Sequence, residues 1–179
     1  MDTIEKEKTL AVIDVQQGFI SSVSAHVPSR IRKLIDRVDF THRIFTRFNN
    51  TSNSQYEKLL GWTKLKHKSE TDIVTDLQNK ATITIDKYVY SSLTPEFLEY
   101  LNTHTIREIY LAGIDTDICV LKTAVDLFEH GFRPIVLADC CMSHADISYH
   151  QKALDILPRF IGREQIVYDS AEYFRSCFS

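Results

Sequence analysis

Three side chains of this sequence carry chemistry if the fold brings them together: the carboxylate of Asp14, the ammonium of Lys87 and the thiol of Cys119. A thiol is mostly protonated at neutral pH and must lose its proton to attack a carbonyl carbon. A carboxylate beside it is a general base that takes the proton and later returns it to a leaving amine. An ammonium and a helix N-terminus both favour the thiolate. Free backbone N–H groups at the same helix start hold an oxyanion. Each residue alone has a plainer reading. Cys119 is a small core residue, Asp14 a strand-end carboxylate bonded to a turn, Lys87 a solvated loop lysine, and Asp115 and Asp117 are helix caps. Only joint placement separates the two readings.

The elements that must place them are short apolar runs alternating with helical patterns. The runs 9–15 (TLAVIDV), 43–48 (RIFTRF), 81–85 (ATITI), 108–114 (EIYLAGI), 133–139 (RPIVLAD) and 165–168 (QIVY) read as strands. Near-continuous apolar strands are buried on both faces, as in a parallel sheet. Ile31, Leu34, Ile35 and Val38 mark a helix with Ser29 as its cap, and Thr94 before Pro95 opens another. From Asp117 a third helix carries Ile118, Leu121, Val125 and Phe128 on one face, with Val120, Ala124 and Leu127 beside it, and ends at Gly131. The stretch 143–160 reads as a helix broken near Pro158, and 170–178 closes the chain as a helix.

This order predicts one domain over residues 1–179. Its class is α/β: a Rossmann-like, doubly wound, mostly parallel six-stranded sheet with helices on both faces. Ligands in such folds bind beyond the carboxyl ends of the strands, near the reversal of strand order. Asp14, Lys87 and Cys119 each follow a different strand at that edge. Segment 49–80 is polar and broken, with a short helix over 54–62, and reads as a lid or site wall.

Composition narrows the function. The chain has 179 residues, 44% hydrophobic and 25% charged, with a formal net charge of −3. No basic stripe points to nucleic acid, and no apolar run has the length to cross a bilayer. The charged start MDTIEKEK lacks the apolar region of a signal peptide, so the expected location is cytoplasmic. Cys119, Cys140, Cys141 and Cys177 form neither a disulfide framework nor a zinc spacing. One glycine in DVQQGF makes no phosphate cradle after the first strand.

The stretches AVIDVQQGF, DKYVYSSL and AGIDTDICVLKTAVDLFEHGF resemble the isochorismatase-like cysteine hydrolase superfamily, which includes nicotinamidases and N-carbamoylsarcosine amidohydrolase. The resemblance runs from about residue 9 to residue 168, and the third motif is its most specific part. It implies Asp14 as general base, Cys119 as nucleophile and Lys87 as the third catalytic member. It also implies a cis peptide between Ile114 and Asp115, aiming the Asp115 and Cys119 N–H groups at the oxyanion. Oligomers, a dimer or larger, are implied as well.

Departures from the pattern matter. Metal-dependent nicotinamidases carry an Asp-x-His motif and a further His after the second strand, whereas here that region reads RFNNTSNSQYEKLLGW. His144, Asp146 and His150 are read on one helix, where His144 and His150 do not share a face. No metal and no cofactor are expected. Isochorismatases cleave a vinyl ether without a cysteine nucleophile, so Cys119 points to C–N hydrolysis. Phe19, Phe48, Asn49 and Tyr88 are the expected substrate-binding residues, while Trp62 and Tyr90 read as ordinary packing. The expected activity is metal-independent hydrolysis of a small-molecule amide through a thioester. The alternatives are a nicotinamidase, an isochorismatase-type hydrolase indifferent to Cys119→Ala, or a non-catalytic binding protein.

Overall fold

A computed structural model describes residues 7–177. In chain order its elements are β1 (Thr9–Ile13), α1 (Val27–Arg37), β2 (His42–Phe48), α2 (Gln55–Leu60), α3 (Lys68–Thr71), β3 (Ile83–Lys87), α4 (Pro95–Thr103), β4 (Glu108–Gly113), α5 (Leu121–Glu129), β5 (Arg133–Cys141), α6 (Ile147–Ile161), β6 (Ile166–Val167) and α7 (Ser170–Cys177). The strands form one six-stranded sheet in the order β3-β2-β1-β4-β5-β6. Every pairing is parallel, so the sheet is wholly rather than mostly parallel.

Strand alternation builds two cores. Leu10 and Val12 of β1 enter one, with Ile31 and Leu34 of α1 and Phe174 of α7. Ala11 and Ile13 enter the other, with Phe97 of α4, Leu127 of α5 and Leu157 of α6. The first core is also covered by Leu65, Val74 and Leu77 of the β2–β3 connection.

Three local expectations change. Helix α1 begins at Val27 with Pro28 in its first turn, so Ser29 lies inside it, donating its hydroxyl to the His26 carbonyl at 2.9 Å. Helix α6 runs through Pro158. Proline there removes one backbone bond near the C-terminal end, and the buried Leu154, Leu157 and Ile161 hold the turn in place. In α5 the buried face is Thr123, Ala124 and Leu127, while Ile118 and Phe128 are exposed. The reason lies upstream: Thr116–Val120 is a wider π-type turn, with the Val120 N–H closing on the Asp115 carbonyl at 3.0 Å, and it rotates the start of the helix.

The sheet reverses its winding between β1 and β4, and Gly113 lets these strands meet there. It has φ +141°, and a Cβ built on it would sit 2.1 Å from the Ile13 carbonyl oxygen. Both obstacles are backbone, so side-chain repacking cannot relieve them. Gly113→Ala is expected to cost about 3 kcal/mol or more, summing backbone strain and overpacking. Urea unfolding followed by circular dichroism measures the loss.

Candidate active site

The carboxyl ends of β1, β3 and β4 bring together the three expected side chains. Asp14 follows β1 with φ +50°, a sparsely used conformation for a residue bearing a Cβ. Its Oδ2 lies 2.7 Å from the Lys87 Nζ, and both side chains are wholly buried. The Asp14 Oδ1 accepts a hydrogen bond from the Thr46 hydroxyl at 2.8 Å. Lys87 donates to the carbonyls of Val89 at 2.9 Å and Tyr90 at 2.7 Å. These bonds set the direction of its N–H groups, so the contact with Asp14 is an ion pair. The Asp14 Oδ2 accepts no aligned hydrogen bond among the described residues.

The Cys119 sulfur interacts with both members of the pair. Burial pushes its thiol well above the ordinary cysteine value, the Asp14 charge adds to this, and the Lys87 ammonium opposes it. Burial works to lower the Lys87 pKa, but the Asp14 carboxylate and the Cys119 sulfur outweigh it, so the ammonium stays above the usual lysine value. The sequence pointed to a thiolate promoted by Lys87 and the helix start. In the structure burial and the Asp14 charge push the thiol the other way, because the Lys87 ammonium is already paired with Asp14.

Thr46 and Ser92 were not legible in the sequence as part of this arrangement. Thr46 also accepts from the Asp14 N–H at 3.2 Å, and the Ser92 hydroxyl donates to Thr46 at 3.4 Å. Thr46→Val removes the donor to a buried charge and is expected to cost about 1–3 kcal/mol, read by urea unfolding.

The peptide between Ile114 and Asp115 is cis. Asp115 is not a helix cap. Its Oδ1 accepts the His144 N–H at 2.6 Å, and its Oδ2 lies 2.7 Å from the His144 Nδ1. His144 and Asp146 precede α6 instead of lying on it, and Asp146 caps that helix through the Ser148 N–H at 2.8 Å. The Asp117 Oδ1 is buried without a hydrogen-bond partner among the described residues.

Cys119 opens into a cavity of about 240 Å³. Its wall is a chain of rings. His144 packs on Phe19 at 5.4 Å, and Phe19 stacks on Trp62 at 6.0 Å and 12°. Trp62 meets Phe48 at 5.9 Å and Tyr56 at 6.2 Å, and Tyr56 meets Tyr90 at 5.1 Å. Phe19 and Phe48 therefore line the cavity, and so do Trp62 and Tyr90, which the sequence presented as ordinary packing. Asn49 and Tyr88 do not. Asn49 donates to the Asp86 carboxylate at 3.0 Å, and the Tyr88 ring is exposed. The cause is alternation: Thr46, Phe48 and Lys87 face inward, so their neighbours Arg47, Asn49, Asp86 and Tyr88 face away. A larger cavity of about 590 Å³ between α1 and α7, lined by Arg30, Arg37, Asp139 and others, includes none of the three reactive residues. Among the described residues no group of three or more His, Cys, Asp or Glu side chains is placed to hold a metal ion. No helix among them is long and apolar enough to cross a membrane.

The isochorismatase domain model matches residues 8–162, and the chain belongs to the isochorismatase family. Isochorismatase domain-containing protein 2 of Xenopus laevis is 40% identical over 62 residues, covering 34% of this chain and 30% of that protein. Nicotinamidase 3 of Arabidopsis thaliana is 28% identical over 148 residues, covering 77% of this chain and 74% of that one. The chain spans less than half the length of the first curated relatives it matches. In fold it is similar to an isochorismatase-like hydrolase from Alkaliphilus metalliredigens, with a TM-score of 0.81, 18% identity, and coverage of 96% of this chain and 100% of that one.

Proposed function

We propose that the protein is a cysteine hydrolase of small amides or related C–N bonds, working without a metal. The observation that carries this reading is the buried Asp14–Lys87 pair, 2.7 Å apart, touching the one cysteine that opens into the aromatic cavity. As the Cys119 sulfur bonds to the substrate carbonyl carbon, its proton passes to Asp14. The carbonyl electrons move to oxygen, and the Asp115 and Cys119 N–H groups hold the oxyanion. On collapse the C–N bond breaks, Asp14 returns the proton to nitrogen, and the amine or ammonia leaves a thioester. Water then attacks the thioester, gives a proton to Asp14, and expels the sulfur, which regains that proton as the acid departs. Lys87 keeps Asp14 anionic in a dry site and fixes its direction. The Arabidopsis relative named a nicotinamidase also supports C–N hydrolysis, and a flat ring suits the aromatic wall, so nicotinamide belongs in the substrate panel.

Iodoacetamide labelling of each cysteine against pH, followed by peptide mass mapping, tests the reading. Cys119 is expected to label faster than Cys140 and Cys141, because it is the one of the three that opens into the aromatic cavity, beside the Asp14 carboxylate. Asp14→Asn is expected to lower hydrolysis of small amides about tenfold or more by removing the base. Because burial and the Asp14 charge push the Cys119 thiol up, the labelling rate should keep rising through about pH 9 without a plateau. Equal labelling of Cys119 and Cys140 would favour the non-catalytic binding protein.

A further inference from the structure

The cavity beside Cys119 is apolar except at one end, where His144 and Asp115 face it as a pair. The carboxylate binds both the main-chain N–H and the ring Nδ1 of His144, at 2.6 and 2.7 Å, so the imidazole is fixed at the rim. Its Nδ1 is committed to Asp115, which leaves Nε2 as its second polar atom. The Asp115 side chain is only 4% exposed, against 31% for His144, so the ring stands between the carboxylate and solvent.

We propose that His144 and Asp115 set the charge of the substrate cavity and thereby decide whether it takes carboxylates. With the imidazole protonated the pair is neutral, and Nε2–H is a donor at the cavity end. With it deprotonated, the Asp115 carboxylate is uncompensated beside an apolar wall, and an anion in the cavity meets an unscreened negative charge. Uncharged amides are accepted in both states. The acid released by hydrolysis is an anion, so the same pair retains the product at lower pH and expels it at higher pH. This inference rests on the cavity being the substrate site.

The other charged groups facing His144 are Asp117 and Lys64, which act on it in opposite directions. The hydrogen bond that His144 donates to Asp115 raises the imidazole above the ordinary histidine value, while burial opposes the rise. The remaining ionisable groups on the cavity side stay in one state near neutrality: burial holds Cys119 well up and takes Tyr56 up to about 12. His150, bonded to the Thr116 hydroxyl at 2.8 Å, is shifted the opposite way by burial.

Trp62 is the only tryptophan of the chain and stands in the cavity wall, so its fluorescence reports occupancy. The test is titration of the intact protein with benzoate and with its neutral counterpart benzyl alcohol, from about pH 5.5 to about pH 9. Benzoate is expected to weaken at least about fivefold as pH rises, with a midpoint above the ordinary histidine value, while benzyl alcohol changes by less than about twofold. His144→Gln should make benzoate binding independent of pH. Asp115→Asn should move the midpoint down and keep benzoate bound at alkaline pH, a change that a purely structural role would not produce. Benzoate binding that is flat with pH in the unaltered protein, absent at every pH, or still falling in His144→Gln overturns the proposal. None of these readouts needs a reactive thiol. Failure of Cys119 to label therefore counts against the hydrolase reading alone.

Discussion

Cys119→Ala is expected to lower ammonia release from a panel of small amides by about 1,000-fold or more, because in the proposed mechanism the step that breaks the C–N bond begins on its sulfur. Cys140→Ala and Cys141→Ala are the controls. Both residues are buried, but neither lines the cavity, so the rate should persist in whatever folded fraction remains. Coupled detection of ammonia with wild-type and variant proteins decides it. A rate that survives Cys119→Ala would point to an isochorismatase-type reaction in which the thiol has no part. The replacement is expected to change stability little, because it removes one small buried group and leaves the Asp14–Lys87 pair intact.

The largest effect on stability is expected at Lys87. Lys87→Met keeps most of the side-chain volume but leaves the Asp14 carboxylate buried against the Thr46 hydroxyl and the Cys119 thiol with no counter-charge. Breaking one side of a buried ion pair costs about 3–5 kcal/mol, because the remaining charge has lost its counter-charge and cannot reach water. The Val89 and Tyr90 carbonyls lose their donor as well. The double variant Asp14→Asn with Lys87→Met should recover most of the loss, since no buried charge is left. Urea unfolding of the four proteins of this cycle measures the coupling. A double variant as unstable as Lys87→Met would show that the pair is not what limits stability there.

The sheet was legible because its strands are continuous apolar runs with few competing patterns. The run 9–15 is an example: the residues of β1 face the two cores by turns, and both cores are dry. The juxtaposition of Asp14, Lys87 and Cys119 was legible because each lies at or just beyond the carboxyl end of a strand: Asp14 follows β1, Lys87 ends β3 and Cys119 lies in the turn after β4. What the sequence hid were facts that depend on one-residue phase. Phe48 and Lys87 face inward, while their neighbours Asn49 and Tyr88 face away, and a hydrophobicity pattern does not fix that phase at a strand end. The start of α5 was hidden for a related reason. A π-type turn adds a residue to the repeat, so the face carrying Ile118 and Phe128 looked apolar yet lies outward. Trp62 belongs to a segment with no periodicity, and its place in the wall depends on chain-to-chain contacts such as its carbonyl accepting from Asn50 at 3.2 Å. His144 is separated from Asp115 by 29 residues, and nothing local in either stretch announces the pair.

The β2–β3 connection has a consequence for how such an enzyme diversifies. It supplies Tyr56, Leu60 and Trp62 to the cavity, yet none of the reacting groups. Its later part is held firmly: the Gln16 amide donates to the Thr71 carbonyl at 2.8 Å, the Val74 N–H to the Val15 carbonyl at 3.1 Å, and Leu65, Val74 and Leu77 enter the core, while the Asn50 amide holds the Trp62 and Lys64 carbonyls. Part of the cavity wall thus stands on a different stretch of chain from Asp14, Lys87 and Cys119. A transplanted connection that keeps Gln16 and Asn50 engaged can change which molecules enter while leaving the strand-end machinery untouched, so mutational drift in residues 51–64 alters diet before it alters competence.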